Sequence, residues 1–488
     1  MWRVAVGLAL AALVVVSFVA RWHVLGESPW PVGVDGFFYP LQVRSLLEHG
    51  TLAYPASPLT FWWMVPFAAA TDPITGAKLG AALGGALVAL PAYAVGTRLA
   101  RSRTAGLVAA ALAAGSAGSA YLSIEFVKQG LGVTVGLTAL WLVLRALDER
   151  TRGRIAAAAA GIAATLLTHK LAAALVLAVT APAALYLARK RLRGRRLIYA
   201  YLATAALLLV LLVLGLAMPQ RFLSRADLAL VAHAFTTHVQ WTAPALAFPV
   251  TLQMEYEPLL AGLISLAAAA VLVWRRREHA WPHEDLVALA IAALGIVLAI
   301  PWLDVTNPQG LAFRARVIAF VPLALSAAVV GGALARRHQA APTALCVLAG
   351  VLALRATRPR RDGIILAHPA MVAAVLAATD QIPAHATVIV PERHIEFMLA
   401  YLDRATVSLR PERVPYARRV RLMPLAFMQP ELQAALDAAR SEPTVAPPIG
   451  LHPRHRNGLV LVEEPTWDWV LARLPGPLRR RYTRWPTI

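Results

Sequence analysis

The sequence predicts an α-helical polytopic membrane protein of about eleven transmembrane helices, followed by a small C-terminal α/β extracytoplasmic domain. Three observations carry that prediction. Hydrophobic residues make up 59% of the 488 residues and charged residues only 15%, whereas a soluble protein needs about 25% charged residues to wet its surface. Apolar windows of about 15 to 20 residues recur along the chain, close to the ~20 helical residues that span ~30 Å of hydrocarbon. Basic residues fall in short groups between those windows rather than along one face. That placement leaves nucleic acid out as a partner, despite a net charge of +21 and a pI near 11.1.

The windows lie near 4–20, 77–96, 104–120, 130–147, 155–168, 171–187, 197–217, 258–274, 285–301, 317–335 and 340–354. The first follows Arg3 and is expected to be retained, because Phe18-Val19-Ala20-Arg21-Trp22 lacks a small-x-small cleavage site. With the N-terminus cytoplasmic, the loops on that side hold 19 Lys/Arg, including Arg98, Arg101 and Arg103 and the run from Arg189 to Arg196. The other side holds nine before residue 355: Arg21, Arg44, Lys78, Lys128, Lys170, Arg221, Arg225, Arg314 and Arg316. Positive residues mark the cytoplasmic side, so the chain is expected to sit in the inner (cytoplasmic) membrane with its C-terminal domain outside. The single cysteine, Cys346, excludes an intramolecular disulfide and a Cys-based zinc site.

Two long loops face outward, 21–76 and 218–257. Within the first, the aromatic stretch Phe61 to Phe67 is too short to span and suits the membrane interface. Beyond residue 355, short apolar runs (387–390, 459–462) alternate with amphipathic stretches (392–402, 430–440, 466–474), the pattern of a mildly basic α/β domain. The domains are therefore drawn as 1–355 and 356–488.

In so apolar a chain, ionisable residues outside the basic loops need a reason to be present. Asp35 lies between Gly33 and Phe37, just ahead of an amphipathic segment. It serves either as a helix cap, worth ~1 kcal/mol, or as a functional carboxylate. Glu125 and Lys128 lie three residues apart between the third and fourth windows. They form either a surface ion pair worth under ~1 kcal/mol or part of a site. Two carboxylates brought together share a divalent cation such as Mg or Mn, or hold one proton between them. Arg44, Lys128 and Arg316 are cations on the charge-poor side, open to a lipid phosphate or to snorkelling. Glu255, Tyr256 and Glu257 end the second long loop, which also holds His233, His238 and Trp241 without metal-ligand spacing.

The sixteen-residue run Asp35–Gly50 (DGFFYPLQVRSLLEHG) resembles the start of the first external loop in GT-C glycosyltransferases. These include oligosaccharyltransferases, protein O-mannosyltransferases and lipid A aminoarabinose transferases. In that family an Asp follows the first helix, and an amphipathic helix closed by Gly comes after it. Glu125, ahead of the Gly-containing segment at 130–132, matches the family's second acidic residue. The resemblance implies an inverting, external-face glycosyltransferase using a polyprenyl-phosphate-linked sugar, with Asp35 and Glu125 as catalytic or metal-binding carboxylates. It implies substrate contacts from His169, in the turn between the fifth and sixth windows, and from an arginine entering the tenth, Arg314 or Arg316. Tyr39, Arg44 and Lys128 complete the candidate substrate-binding set. The acceptor, whether glycan, lipid or protein, is open. The Thr466-Trp467-Asp468-Trp469 segment departs from the Trp-Trp-Asp motif that reads the glycosylation sequon, so sequon glycosylation is not expected.

Two other readings compete. A lipid-linked saccharide transporter or flippase would carry internal repeats and mid-membrane charges. A surface-polysaccharide ligase or polymerase would share the lipid-linked donor without the Asp-containing loop.

The topology is testable by labelling. Cysteines placed at Ser57 and Ser441 are expected to react with an impermeant reagent outside intact cells, and one at Ser102 is not. Labelling at Ser102 would invert the orientation.

Overall fold

The computed structural model describes residues 2–33, 35–191, 194–218, 229, 233–234, 252–276, 281–299, 310–335, 369–379, 381–383, 385–390, 393–402, 406–408, 410–424, 428–451 and 459–483. The window at 340–354, Cys346, His238 and Trp241 lie outside the described residues. The chain divides into two compact units. The first comprises 1–27, 54–70 and 75–363; the second comprises 28–53, 71–74 and 364–488. Residues 28–53 of the first long loop thus belong with the C-terminal residues rather than with the helices that flank them.

The helices of the chain up to residue 335 are α1 (Trp2–Gly26), α2 (Phe38–His49), α3 (Leu59–Ala70), α4 (Pro73–Ala86), α5 (Ala89–Ala100), α6 (Arg103–Gly115), α7 (Ala117–Leu122), α8 (Val127–Glu149), α9 (Arg152–Thr168), α10 (Lys170–Arg191), α11 (Arg195–Ala217), α12 (Leu252–Arg275), α13 (His283–Ala299), α14 (Leu311–Val317) and α15 (Phe320–Ala335). Among the described residues, six segments are long and apolar enough to cross a membrane: Val4–Gly26, Pro73–Ala100, Val127–Glu149, Lys170–Lys190, Glu257–Arg275 and Leu311–Ala335. The chain is an integral membrane protein. The expected window 104–120 is not one crossing. It is α6 and α7, separated by a break at Ser116.

Local sequence explains these breaks. The Pro73–Ala100 span turns at Leu87–Val88, four residues before Pro91. A proline has no N–H to give the carbonyl four residues back, and its ring collides with that carbonyl. In the first unit small residues let helices approach. A Cβ added to Gly96 would stand 2.6 Å from the Ala109 Cβ, so α5 and α6 are in near-backbone contact, as membrane helices are when small residues line the seam.

The α6–α7 break matters more. Interrupting a helix leaves carbonyls on one side and N–H groups on the other without partners, a cost of several kcal/mol each away from water. Arg21 of α1, 2% exposed, covers the carbonyl side. Its guanidinium donates to the Ala114 carbonyl at 3.3 Å, to Ser119 Oγ at 2.8 Å, to Ser123 Oγ at 2.9 Å and to the hydroxyl of Ser17. Glu257 of α12 covers the amide side. It accepts from the backbone N–H of Ala117 (2.7 Å) and Gly118 (3.0 Å) and from Ser116 Oγ (2.9 Å). Ser116 Oγ in turn accepts from the Ser119 N–H. The sequence reading of Glu257 as the end of a long outer loop is therefore corrected: it lies in α12 and its carboxylate holds the first turn of α7.

In the second unit, strands β1 (Thr387–Ile389), β2 (Thr406–Ser408), β3 (Arg419–Pro424), β4 (Ile449–Leu451) and β5 (Leu459–Glu463) form one sheet of order β2-β1-β3-β5-β4. β1 pairs in parallel with β2 and β3, and β5 pairs antiparallel with β3 and β4. Helices α16 (Pro369–Thr379), α17 (Arg393–Tyr401), α18 (Pro430–Arg440), α19 (Glu464–Arg473) and α20 (Gly476–Thr483) complete the unit. Leu459 to Val462 are all buried, a run rather than an alternation, as expected of a strand covered on both faces. Trp467 packs edge-on to Tyr482, and Asp468 accepts from the Tyr416 hydroxyl at 2.7 Å. The Thr466–Trp469 segment is thus committed to this unit's own packing.

Room for Arg21 is set by Gly85 of α4, where an added Cβ would stand 2.8 Å from Arg21 Nε and collide with Ser123 Oγ. Gly85→Ala is expected to cost ~1–3 kcal/mol by overpacking, and Arg21→Leu ~3 kcal/mol through the orphaned carbonyl and hydroxyls. The double variant should cost clearly less than the sum, because both act on one cluster. Thermal unfolding in detergent checks this; strict additivity would show that Gly85 and Arg21 do not share a site.

Candidate substrate site

Helix α7 ends at Leu122 and α8 starts at Val127, so Tyr121, Glu125, Phe126, Lys128 and Gln129 crowd one end of the helical unit. Two other segments join them. The α9–α10 turn brings His169 against α8, since a Cβ added to Gly132 would stand 2.6 Å from the His169 Cβ. Helix α14 brings Arg314, whose backbone carbonyl accepts from Gln129 Nε2 at 2.9 Å. The Arg314 guanidinium lies 4.6 Å from the centre of the Phe126 ring, and Tyr121 packs edge-on to both Phe126 and Phe313. Such cation–ring contacts are stronger in dry surroundings.

The electrostatics of this cluster are cationic. Burial first, then the charges of Lys128, Arg314 and Lys170, push the His169 imidazole down to about 3, so the ring is neutral at physiological pH. The Tyr121 phenol is pushed above its ordinary range by burial and by Glu125, with Arg314 acting in the opposite sense. Glu125 is 6% exposed. The N-terminal ends of α8 and α10 meet here, and helix N-termini carry partial positive charge. One turn further along the same segments lies an apolar cleft with about 510 Å³ of empty space, lined by Val133, Leu137, Ala172, Val176, Ile318 and Leu325 among others.

The expected site residues are distributed as follows. Glu125, Lys128 and His169 lie together in the first unit. Arg314 joins them, and it, rather than the expected Arg316, is the arginine that acts on His169 and Tyr121. Lys170 and Gln129 were not in the expected set; their place in the first turns of α10 and α8, beside His169 and Lys128, was the available signal. Asp35, Tyr39 and Arg44 lie in the second unit. Asp35 occupies a tight turn in which the Gly36 N–H bonds the Gly33 carbonyl and the Phe38 N–H bonds the Asp35 carbonyl, both at 3.0 Å. The N-cap of α2 is Phe37, without a side-chain cap bond of its own, and Asp35 lies two residues before it. Gly50 ends it at φ +69°, a conformation only glycine adopts readily. Arg44 lies over the Tyr401 ring at 5.3 Å, donates to the Tyr401 carbonyl and meets Glu48 at 3.4 Å. It ties α2 to α17. Tyr39 is buried and edge-on to Phe38.

Among the described residues, the one group of His, Asp and Glu with ligand atoms close enough for a shared ion is Asp148, His283 and Glu284. It lies at the far end of α8 from Lys128. Arg98 contacts both Asp148 and Glu284 there, supplying the positive charge those carboxylates need.

The neutral His169 has a consequence for stability. Its folded-state pKa lies below the unfolded value near 6.5, so unfolding takes up a proton as pH falls from about 6.5 toward 3. Stability attributable to this group is present above pH 6.5 and declines below it. At pH 5.5 the wild type is expected to have lost ~1 kcal/mol relative to His169→Gln, compared with their difference at pH 7.5. Unfolding midpoints of the two proteins at both pH values check this; parallel curves would place the imidazole in water.

No protein-family model and no curated protein matches this sequence. Solved structures do. The crystal structure of ArnT from Cupriavidus metallidurans in the apo state has a TM-score of 0.50 and 15% identity, covering 94% of this chain and 98% of that chain. The same protein bound to undecaprenyl phosphate has a TM-score of 0.53 and 14% identity, with the same coverage. Likeness at that identity is one of fold. This chain shares the fold of ArnT over 94% of its length.

Proposed function

We propose that this protein is a membrane glycosyltransferase of the GT-C type that moves a sugar from a polyprenyl-phosphate-linked donor to an acceptor on the external face of the inner membrane. The observation that carries the reading is the cationic cluster of Lys128, Lys170 and Arg314 around a neutral imidazole, with an apolar cleft one turn beyond it. A lipid phosphate needs that pairing: cations for its head and a dry surface for its chain. The fold shared with ArnT, one of whose structures holds undecaprenyl phosphate, supports the same reading.

In the proposed reaction, an acceptor hydroxyl attacks the anomeric carbon from the face opposite the phosphate. The new C–O bond forms as the bond from that carbon to the phosphate oxygen breaks, and the electron pair leaves with the lipid phosphate. Inversion follows from this single displacement. Asp35 takes the acceptor's proton. Lys128, Lys170 and Arg314 stabilise the charge growing on the phosphate, with Arg316, two residues further along the same helix, as an additional cation of the proposal. Glu125 orients the acceptor; in the metal-dependent form of the proposal a Mg or Mn ion would be held by a carboxylate, Asp35 or Glu125, and would supply positive charge to the leaving phosphate.

Asp35→Asn is expected to lower transfer by at least ~100-fold while leaving the unfolding midpoint unchanged. Lys128→Ala and Lys170→Ala should each weaken donor binding ~5-fold or more, with less effect on stability. Transfer from a polyprenyl-phosphoryl sugar by protein in nanodiscs, with and without a chelator, is the measurement. Full activity of Asp35→Asn would remove it as the base. Chelator sensitivity lost in Glu125→Gln would assign the ion to Glu125.

A further inference from the structure

Gln129, in the first turn of α8, is 3% exposed. Its Nε2 donates to the Arg314 carbonyl. A backbone carbonyl only accepts, so this bond fixes which way the amide is turned. Oε1 therefore faces away from that bond as an acceptor, and it is buried without a hydrogen-bond partner among the described residues. Nδ1 of His169, in the same cluster, shares that condition. A buried polar atom left unsatisfied costs ~1–3 kcal/mol, and buried polar groups are nearly always paired. Two in one cluster ask for a polar partner with more than one functional group.

The cluster asks for two different things. The charges of Arg314, Lys128 and Lys170 close to His169 favour an anion. Gln129 Oε1 can only receive a hydrogen bond, so its partner must carry an O–H or N–H. A fully ionised lipid phosphate has acceptors and no donor. A phosphate esterified to a sugar has both, with hydroxyls within a few ångströms of the anionic oxygens.

We infer that Gln129 reads the donor sugar: its Oε1 accepts a hydrogen bond from a sugar hydroxyl while the phosphate of the same molecule lies among Lys128, Lys170 and Arg314. The inference rests on reading the cluster as the donor phosphate site and adds to it a residue that distinguishes loaded lipid from spent lipid. Such a residue has a kinetic use. The product of transfer is the bare polyprenyl phosphate, which keeps every cationic contact; a contact made only by the sugar lets the donor displace it. Selectivity built on a hydrogen bond of this kind is strong because its loss leaves a buried acceptor unpaired.

The test is equilibrium binding to the full chain in nanodiscs. The probes are undecaprenyl phosphate and three polyprenyl-phosphoryl sugars: a pentofuranose, a hexopyranose and an amino sugar. Wild type should bind at least one sugar-bearing probe about tenfold more tightly than undecaprenyl phosphate. Gln129→Leu should abolish that preference while changing undecaprenyl phosphate affinity less than twofold. Gln129→Glu, which retains an acceptor, should recover part of the preference. The affinity ratio within each variant guards against partial misfolding. If Gln129→Leu weakens all four probes equally, Gln129 only supports α14 and the inference fails. If it changes none, its acceptor is served by water and the inference fails. If wild type binds none of the probes, the donor reading itself fails and takes this inference with it.

Discussion

A single interruption in a helix governs the helical unit. Between α6 and α7 the backbone stops pairing with itself for one residue, Ser116, and the broken ends are buried. Two opposite charges from distant parts of the chain repair it: Arg21 from α1 takes the loose carbonyl, and Glu257 from α12 takes the loose amides. Neither charge needs the other as an ion-pair partner, because each finds enough dipoles at the break to replace water. Continuous α6 would have carried Tyr121 and Glu125 onward along its own axis. The break turns the chain, and α8 can then begin beside the α9–α10 turn and α14.

From that turn the cationic cluster follows. Lys128 and Lys170 lie in the first turns of their helices, and Arg314 in the middle of a short one, so their charges gather where helix N-termini add to them. The same polarity makes the imidazole of His169 a poor cation and a good neutral hydrogen-bonding group. The apolar cleft is a consequence of the same three segments running on with Val, Leu, Ala and Ile side chains. Cationic surface and apolar surface are therefore produced by one set of helices rather than by separate devices.

Much of this was legible in the residues. Apolar windows located α1, α8, α10, α12 and α15, because hydropathy over ~20 residues is a direct consequence of the lipid environment. The short apolar runs near 387 and 459 and the amphipathic stretches near 430 and 466 correspond to strands and helices. Carboxylates and cations at helix ends pointed to Glu125, Lys128 and His169. What periodicity could not reveal was the break at Ser116, since Ala, Gly and Ser read as well for a helix as for its interruption, and the partners that permit it come from residues 21 and 257. For the same reason Arg21 counted as an outward-facing cation in the charge tally, though its surroundings are hydroxyls and carbonyls. Arg314 and Arg316 are indistinguishable by spacing; only the Gln129 bond and the Phe126 ring single out the first. The grouping of residues 28–53 with the C-terminal residues is carried by aromatic and cationic contacts, such as those of Arg44 with Tyr401, that have no signature along the chain.

The position of Arg21 also decides how the protein can be produced. Its helix has a largely lipid-facing surface, with Val4, Leu8, Val15 and Val19 exposed, and by appearance would pass for an interchangeable anchor. Exchanging it for a cleavable leader or a generic fusion anchor, as is routine when membrane proteins express poorly, would strip the guanidinium from a carbonyl and two serines more than ninety residues away. Such a hybrid would insert and yet carry an unrepaired break between α6 and α7, and its instability would be misread as the loss of a partner.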